Sequence, residues 1–296
     1  MQAARLHAPG GPGQLVVEEV EVPRPGQGVA LVHVHAAAIT RDELEWPLDR
    51  LPAIPSHELS GVVVAVGPDV DDPGVGEAVY SLTPFDREGV AAEYALVPAA
   101  VLAPKPASLG HPEAAALPMG GLSAWQGLFV HGQLEAGQRV LIHGAAGGVG
   151  HLATQLARWR GAHVIGTATG ADVEMAMGFG AHEVIDRTRT RFEDVVDPVH
   201  VVFDTVGGDA LARSGSVLRA DGRLVSVAEE LPHGMAGTYF VVEPDREQML
   251  ELSRLVDRGH VRPAIDSMFS LSDAAKAFQR VMAPGKRGKV VLEVRP

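Results

Sequence analysis

One stretch of this chain leaves its fold little freedom. Val140-Leu141-Ile142-His143 reads as an apolar strand, Gly144-Ala145-Ala146-Gly147-Gly148 as a tight turn, and Val149 onward as a helix. In that helix Val149, Leu152, Ala153, Leu156 and Ala157 recur at intervals of three and four, which gives one apolar face. Strand, glycine turn and helix in this order suit the pyrophosphate of a dinucleotide. Glycines let the backbone turn sharply and approach the phosphates, and the first helical turn offers unpaired N–H groups and a positive dipole end. Glycines alone would equally suit a turn that merely packs a helix on a strand; the flanking strand and helix favour the binding reading. Gly144, Ala146, Gly147, Gly148 and Val149 are therefore predicted cofactor contacts.

The rest of the chain divides in texture. Up to about Pro104-Lys105-Pro106, short Val- and Gly-rich runs (Leu15–Val22, Val29–His35, Gly61–Val66, Glu77–Tyr80, Ala91–Val97) alternate with turn signals, as in a mostly antiparallel β domain. Beyond that point strands (Arg139–His143, Ala162–Gly166, Glu183–Ile185, His200–Asp204, Gly222–Val227) alternate with helices such as Val149–Arg160 and Asp245–Arg258. Alternating β and α predicts a parallel, doubly wound sheet. A helix at Ser272–Met282 and a strand at Lys289–Val294 close the chain. With 296 residues, two domains are expected. Their limits are read as 1–107 completed by 265–296, and 108–264.

Composition removes several classes of function. There is no cysteine, hence no disulfide, thiol nucleophile, iron–sulfur ligation or thiolate zinc site. A net charge of −12 without any basic run argues against nucleic-acid binding. No apolar stretch approaches the roughly 18 residues of a spanning helix, and Met1-Gln2-Ala3-Ala4-Arg5 does not open a secretory signal. The expectation is a cytoplasmic enzyme acting on a small molecule, with no nucleic acid or membrane as partner.

The end of the second strand of the dinucleotide unit bears on the choice of cofactor. NAD enzymes commonly place an acidic residue there to bind the ribose 2′-OH. Here the stretch is Val164-Ile165-Gly166-Thr167-Ala168-Thr169-Gly170, with no carboxylate, so a 2′-phosphate would not be repelled. Thr167 and Thr169 are candidate contacts. Asp172 and Glu174 follow, placed to complement the next helix's dipole. NADPH is the expected cofactor, with NADH as the alternative.

Several motifs resemble the zinc-free quinone oxidoreductase branch of the medium-chain dehydrogenase/reductase superfamily: Pro55-Ser56-His57-Glu58-Leu59-Ser60-Gly61, Gly121-Leu122-Ser123-Ala124-Trp125, Gly144–Gly150, Phe203-Asp204-Thr205-Val206-Gly207-Gly208 and Gly288-Lys289-Val290-Val291-Leu292. The resemblance covers essentially the whole chain. It implies a GroES-like β domain, an inserted Rossmann domain, an active site in the cleft between them, and a homodimer. It implies cofactor contacts at Thr205, Val206, Ser226, Val227 and Lys289, and places Ser123 near the reactive ring.

Three departures from the family pattern matter. His57 stands where zinc relatives have a ligand, but no Cys accompanies it; no metal is expected, and His57 reads as a buried ring beside the cleft. No cation follows Thr169, so Arg187 or Arg189 is the candidate 2′-phosphate partner, against the alternative of a solvated loop. The segment Leu48–Pro55 is shorter than in many relatives and implies an open cleft. The reaction implied is hydride transfer to a quinone or enone. Thr40, Ser123 and His57 are candidate catalytic residues, with Glu43, Trp46 and Phe240 lining the substrate pocket; each could instead serve a turn, a cap or the core. Two further classes stay open: a repurposed non-redox enzyme such as a cyclase, and a dinucleotide-binding protein without catalysis.

Overall fold

Val29–Ile39 forms an 11-residue strand at the middle of a mixed sheet. A computed structural model describes residues 1–294 and divides the chain into two units. Of the described residues, the first comprises Met1–Met119, Glu243–Arg258 and residues 263–294; the second comprises Gly120–Val242 and Gly259–Arg262.

In the first unit the sheet runs Ile265–Ser270, Lys289–Glu293, Val29–Ile39, Glu58–Val66, Ala78–Leu82, Ala103–Pro104, and Tyr94–Pro98 also pairs with Val29–Ile39. Every pair is antiparallel except Ile265–Ser270 with Lys289–Glu293. Alternation along Val29–Ile39 sends Val32 and Val34 into a core shared with Leu6, Leu59, Phe278 and Leu292, and a register shift between Val34 and Ala36 then turns Ala37 and Ile39 to that same side. The opposite face carries Ala36 and Ala38, small enough for Ala115 and Ala116 of the segment after Gly110 to lie against the strand. Register places Val290 opposite Ile39, and Glu58 opposite Ala38. The ends of three adjacent strands thus bring Lys289, Thr40 and Glu58 to one place.

The second unit holds a six-stranded, fully parallel sheet: Glu183–Asp186, His163–Ala168, Arg139–His143, Val199–Asp204, Leu218–Ser226, Thr238–Tyr239. Numbered along the chain within this unit, the order is 3-2-1-4-5-6, the Rossmann order. The order reverses between Arg139–His143 and Val199–Asp204. Ligands bind outside the carboxyl ends of the strands at such a point. Leu141, Ile165, Val202, Leu211 and Leu224 form the core.

The units divide at other residues than those read from sequence texture. Residues 108–119 and the helix Arg246–Asp257 group with the first unit. The helix is tied there by hydrogen bonds: the Tyr80 hydroxyl donates to Met249 O at 2.6 Å, Arg246 Nε to Leu102 O at 2.6 Å, and Ser108 Oγ to Asp257 at 2.7 Å. Texture marks where helices begin, whereas packing decides which core they join. Among the described residues no helix is long and apolar enough to cross a membrane.

Candidate active site

The glycine turn of the second unit is pinned at both ends. Gly144 sits at φ +72°, a region that favours glycine, and a Cβ on Gly150 would stand 2.0 Å from Gly144 O. Within the turn the Gly147 N–H donates to Gly144 O at 2.8 Å, and the Ala145 N–H to Thr167 O at 3.0 Å. Those groups are committed to the turn itself, so Gly147 holds no free donor for a phosphate. Among the hydrogen bonds of the described residues, none uses the N–H of Gly148 or Val149. Both residues are partly exposed at the N-terminus of the ten-residue helix Gly150–Trp159. These two donors, beside a helix dipole, fit a pyrophosphate.

The loops around this turn are braced from beneath. Thr205 Oγ1 donates to His143 O at 2.7 Å, and Val206 overhangs Gly144 with an exposed side chain. Ser226 is fully buried, and its hydroxyl donates to Asp204 Oδ2 at 2.9 Å. Asp204 in turn accepts from the N–H groups of Val206 and Gly207 at 3.0–3.2 Å. Burial raises the Asp204 carboxyl above the usual carboxylate range, while these hydrogen bonds pull it back. Ser226 therefore braces the loop through its side chain. The Val227 N–H is likewise committed, to Asp204 O at 3.1 Å. Asp204 itself was not singled out by sequence reasoning, although it lies inside one of the motifs.

The cofactor-selecting corner holds a carboxylate from outside its own strand. The second strand carries no carboxylate, but its neighbour ends in Asp186. A Cβ on Gly170 would stand 3.1 Å from Asp186 Oδ2. Thr169 Oγ1 donates to Asp172 Oδ2 at 2.5 Å, so its hydroxyl proton is already engaged. Thr167 is buried, with Oγ1 against His143 Nδ1 at 3.2 Å and accepting from the Gly144 N–H at 3.3 Å. Arg187 is tied by its backbone N–H to Ala168 O at 2.9 Å and has an exposed side chain. The corner thus holds acid and base together. Distance along the chain cannot reveal a carboxylate contributed by the adjacent strand.

In the first unit, Lys289 Nζ donates to Thr40 Oγ1 at 3.0 Å and also to Glu58 Oε1. Glu58 Oε2 accepts the Met119 N–H at 2.9 Å. Lys289 and Glu58 side chains are 5% and 0% exposed, so this is a buried ion pair. The Lys289 ammonium thus links Thr40 and Glu58. Glu43 lies in the turn after Thr40, wholly buried, with neither carboxyl oxygen in a hydrogen bond of good geometry. Burial pushes its pKa up to about 8, against the pull of Lys289 and of the Thr40 and His57 backbone.

The His57 ring points away from this network. Its Nδ1 lies 3.1 Å from Thr83 Oγ1, and its ring packs against Trp46 and Phe85 with centroids at 5.8 and 5.2 Å. Burial, reinforced by the Arg50 charge, holds its pKa down at about 4, so the ring is neutral at pH 7. A zinc ion needs three or four N, S or O ligands. The chain has no Cys, and among the described residues no group of three His, Asp or Glu could hold a metal. The donor set around His57 does not fit zinc. Ser123, buried on helix Pro118–Trp125, and Phe240, its ring tilted against His131 with centroids at 4.5 Å, belong to the second unit; Thr40, Glu43, Trp46 and His57 belong to the first.

Comparison with known proteins agrees with both halves. Residues 26–107 match the alcohol dehydrogenase GroES-like domain, and residues 179–292 the zinc-binding dehydrogenase domain. A 2-methylene-furan-3-one reductase of Solanum lycopersicum is 32% identical over 94% of this chain and 74% of its own length. A chloroplastic NADPH-dependent alkenal/one oxidoreductase of Arabidopsis thaliana is 31% identical over 96% of this chain and 77% of its own. The solved quinone oxidoreductase of Coxiella burnetii superposes with a TM-score of 0.92 at 30% identity, covering 100% of this chain and 99% of that one.

Proposed function

Because the chain belongs to the medium-chain dehydrogenase/reductase superfamily, in its quinone oxidoreductase-like branch, we propose that it is a zinc-independent, NADPH-dependent reductase of conjugated carbonyls, either enones or quinones. The observation that carries this reading is the pair of free N–H groups at Gly148 and Val149, held by a turn that Gly144 and Gly150 lock in place. They take the pyrophosphate. Thr205 and Val206 edge the remainder of the cofactor, and Arg187 takes the 2′-phosphate. A reduced nicotinamide dinucleotide supplies hydride.

Thr40 serves the acceptor. Its oxygen accepts from Lys289 Nζ, which leaves the hydroxyl hydrogen to donate to a carbonyl oxygen. A conjugated acceptor needs no stronger activation, because the incoming electrons delocalise onto that oxygen. The mismatch between the His57 surroundings and zinc supports a reaction without a Lewis acid. The activities in the names of the tomato and Arabidopsis relatives point the same way.

The test is dinucleotide oxidation against a panel of enones and quinones, with NADPH and NADH compared. Thr40→Val should lower kcat/KM for the acceptor and leave dinucleotide affinity unchanged. Asp186 beside Gly170 favours NADH, and a lower KM for NADH would assign the corner to it. Dinucleotide binding with no reduction across the panel would favour a repurposed, non-redox enzyme.

A further inference from the structure

The buried cluster of the first unit contains one more acid than its ion pair needs. Lys289 donates to Glu58 and to Thr40, and Glu58 also takes the Met119 N–H, which accounts for that carboxylate. Glu43 lies in the same buried surroundings, and neither of its oxygens has a hydrogen bond of good geometry. A buried polar group without a partner is costly, and a protein that retains one retains it at a cost in stability. Around Glu43 stand Lys289 and Glu58 from the neighbouring strand ends and the backbone of Thr40 and His57. Lys286 lies one step further out, itself facing Lys289, Asp266, Glu58 and Arg41. The cation nearest in effect, Lys289, is already committed to other oxygens.

We propose that Glu43 is the proton store of the reduction, feeding the acceptor through Lys289 and Thr40. The proposal rests on the reductase reading given above. Hydride from the reduced dinucleotide forms the C–H bond at the acceptor's β-carbon and leaves the displaced electron pair on its oxygen, as an enolate. The Thr40 O–H bond breaks and that proton passes to the enolate oxygen. Thr40 regains a proton from the Lys289 ammonium across the existing hydrogen bond, and Lys289, then an amine, turns from Glu58 to take the proton of the Glu43 carboxyl. Glu43 ends as a carboxylate and recovers its proton from water after product leaves. The enol tautomerises to the saturated ketone. Two electrons and one hydrogen nucleus come from the dinucleotide, and one proton from Glu43. The acid is held protonated at neutral pH by its burial, with a pKa of about 8.

The experiment is the pH dependence of kcat for an enone at saturating NADPH, in wild type, Glu43→Gln, Glu43→Asp and Lys286→Met. Carboxyl NMR titration of the dinucleotide-free protein accompanies it. Glu43→Gln keeps shape and neutrality and loses only the proton. Wild type should lose rate above about pH 8. Glu43→Gln should be at least about tenfold slower at pH 7, flat across that range and unchanged in dinucleotide affinity. Glu43→Asp should restore part of the rate. Lys286 titrates in the same range, and Lys286→Met should keep the alkaline fall. The NMR titration should show one carboxyl protonated at pH 7 that is absent from Glu43→Gln. A wild-type rate and pH profile in Glu43→Gln, or a Glu43 carboxyl that titrates in the ordinary range, would overturn the proposal and leave the reductase reading standing. Failure of wild type to reduce any acceptor would overturn both.

Discussion

In the second unit, the turn at Gly144–Gly150 is made by consecutive residues, and its working atoms are backbone N–H groups. In the first unit, Thr40, Glu58 and Lys289 meet from three strand ends, with Lys289 separated from Thr40 by 249 positions and from Glu58 by 231. The working atoms there are side chains. The first arrangement depends on what is absent, namely Cβ atoms at Gly144 and Gly150. The second depends on charges that balance only when the sheet is complete. A backbone site is therefore exposed to steric change, and a side-chain site to any change in charge or protonation.

The largest effect should come from unbalancing the charges. Lys289→Met leaves Glu58 buried without its cation, and breaking a buried pair in this way costs about 3–5 kcal/mol. Denaturant unfolding measures this loss. Replacing Lys289 and Glu58 together by Met and Gln should recover most of it, and equal losses in single and double variants would show that the pair is not what stabilises the strand ends.

A comparable effect should follow acid. His57 in the first unit and His143 in the second are both buried and held at a pKa of about 4. Burial is the main cause for each, with Arg50 adding to it for His57 and Arg213 for His143. Their folded pKa values lie below the unfolded value near 6.5. The neutral rings contribute stability that is fully present above about pH 6.5 and is lost as pH falls toward 4, on the order of 3 kcal/mol each. Glu43 runs in the opposite direction. Its pKa is raised, so stability falls as pH climbs from the ordinary carboxylate range to about 8. His57→Gln should flatten the acid limb and Glu43→Gln the neutral one. Unchanged limbs would mean that the rings and the acid are solvated.

Steric change should act on the turn alone. Gly148→Val should reduce dinucleotide affinity at least about a hundredfold and leave the fold intact, because a side chain there blocks the approach of the pyrophosphate to the backbone. Tryptophan fluorescence titration follows it. Gly150→Ala differs, since its Cβ would meet Gly144 O and should cost stability as well as binding. The smallest effect should be Arg187→Ala, a loss of about ten- to a hundredfold for NADPH and almost none for NADH, as expected for one charge-assisted contact. An equal loss for both dinucleotides would remove Arg187 from the 2′-phosphate site.

The contrast between the two regions also explains what could be read in advance. Arg139–His143, the helix after it and the parallel sheet were legible because periodicity and glycine spacing are local signals. Thr40 and Lys289 could each be named, Lys289 from its motif and Thr40 as a polar side chain near the expected cleft. Their hydrogen bond could not be read, because only the register of Val290 against Ile39 brings them together. Ser226 and Gly147 were assigned to the cofactor by position. The hydrogen bonds their polar atoms make, to Asp204 and to Gly144, could not be read from position, because they depend on how the strand ends and the turn satisfy the backbone. Asp186 was missed because the acid lies on the adjacent strand, beside Gly170 in space and 16 positions away in sequence.

The most direct test of the reductase assignment is stopped-flow oxidation of NADPH by purified protein with a conjugated enone, in wild type and Thr40→Val. Wild type should consume one NADPH for each saturated ketone formed, with no zinc added and no loss on treatment with a chelator. Thr40→Val should bind NADPH equally well and turn over at least about tenfold more slowly. Wild-type turnover in Thr40→Val, or turnover that a chelator abolishes and zinc restores, would contradict it.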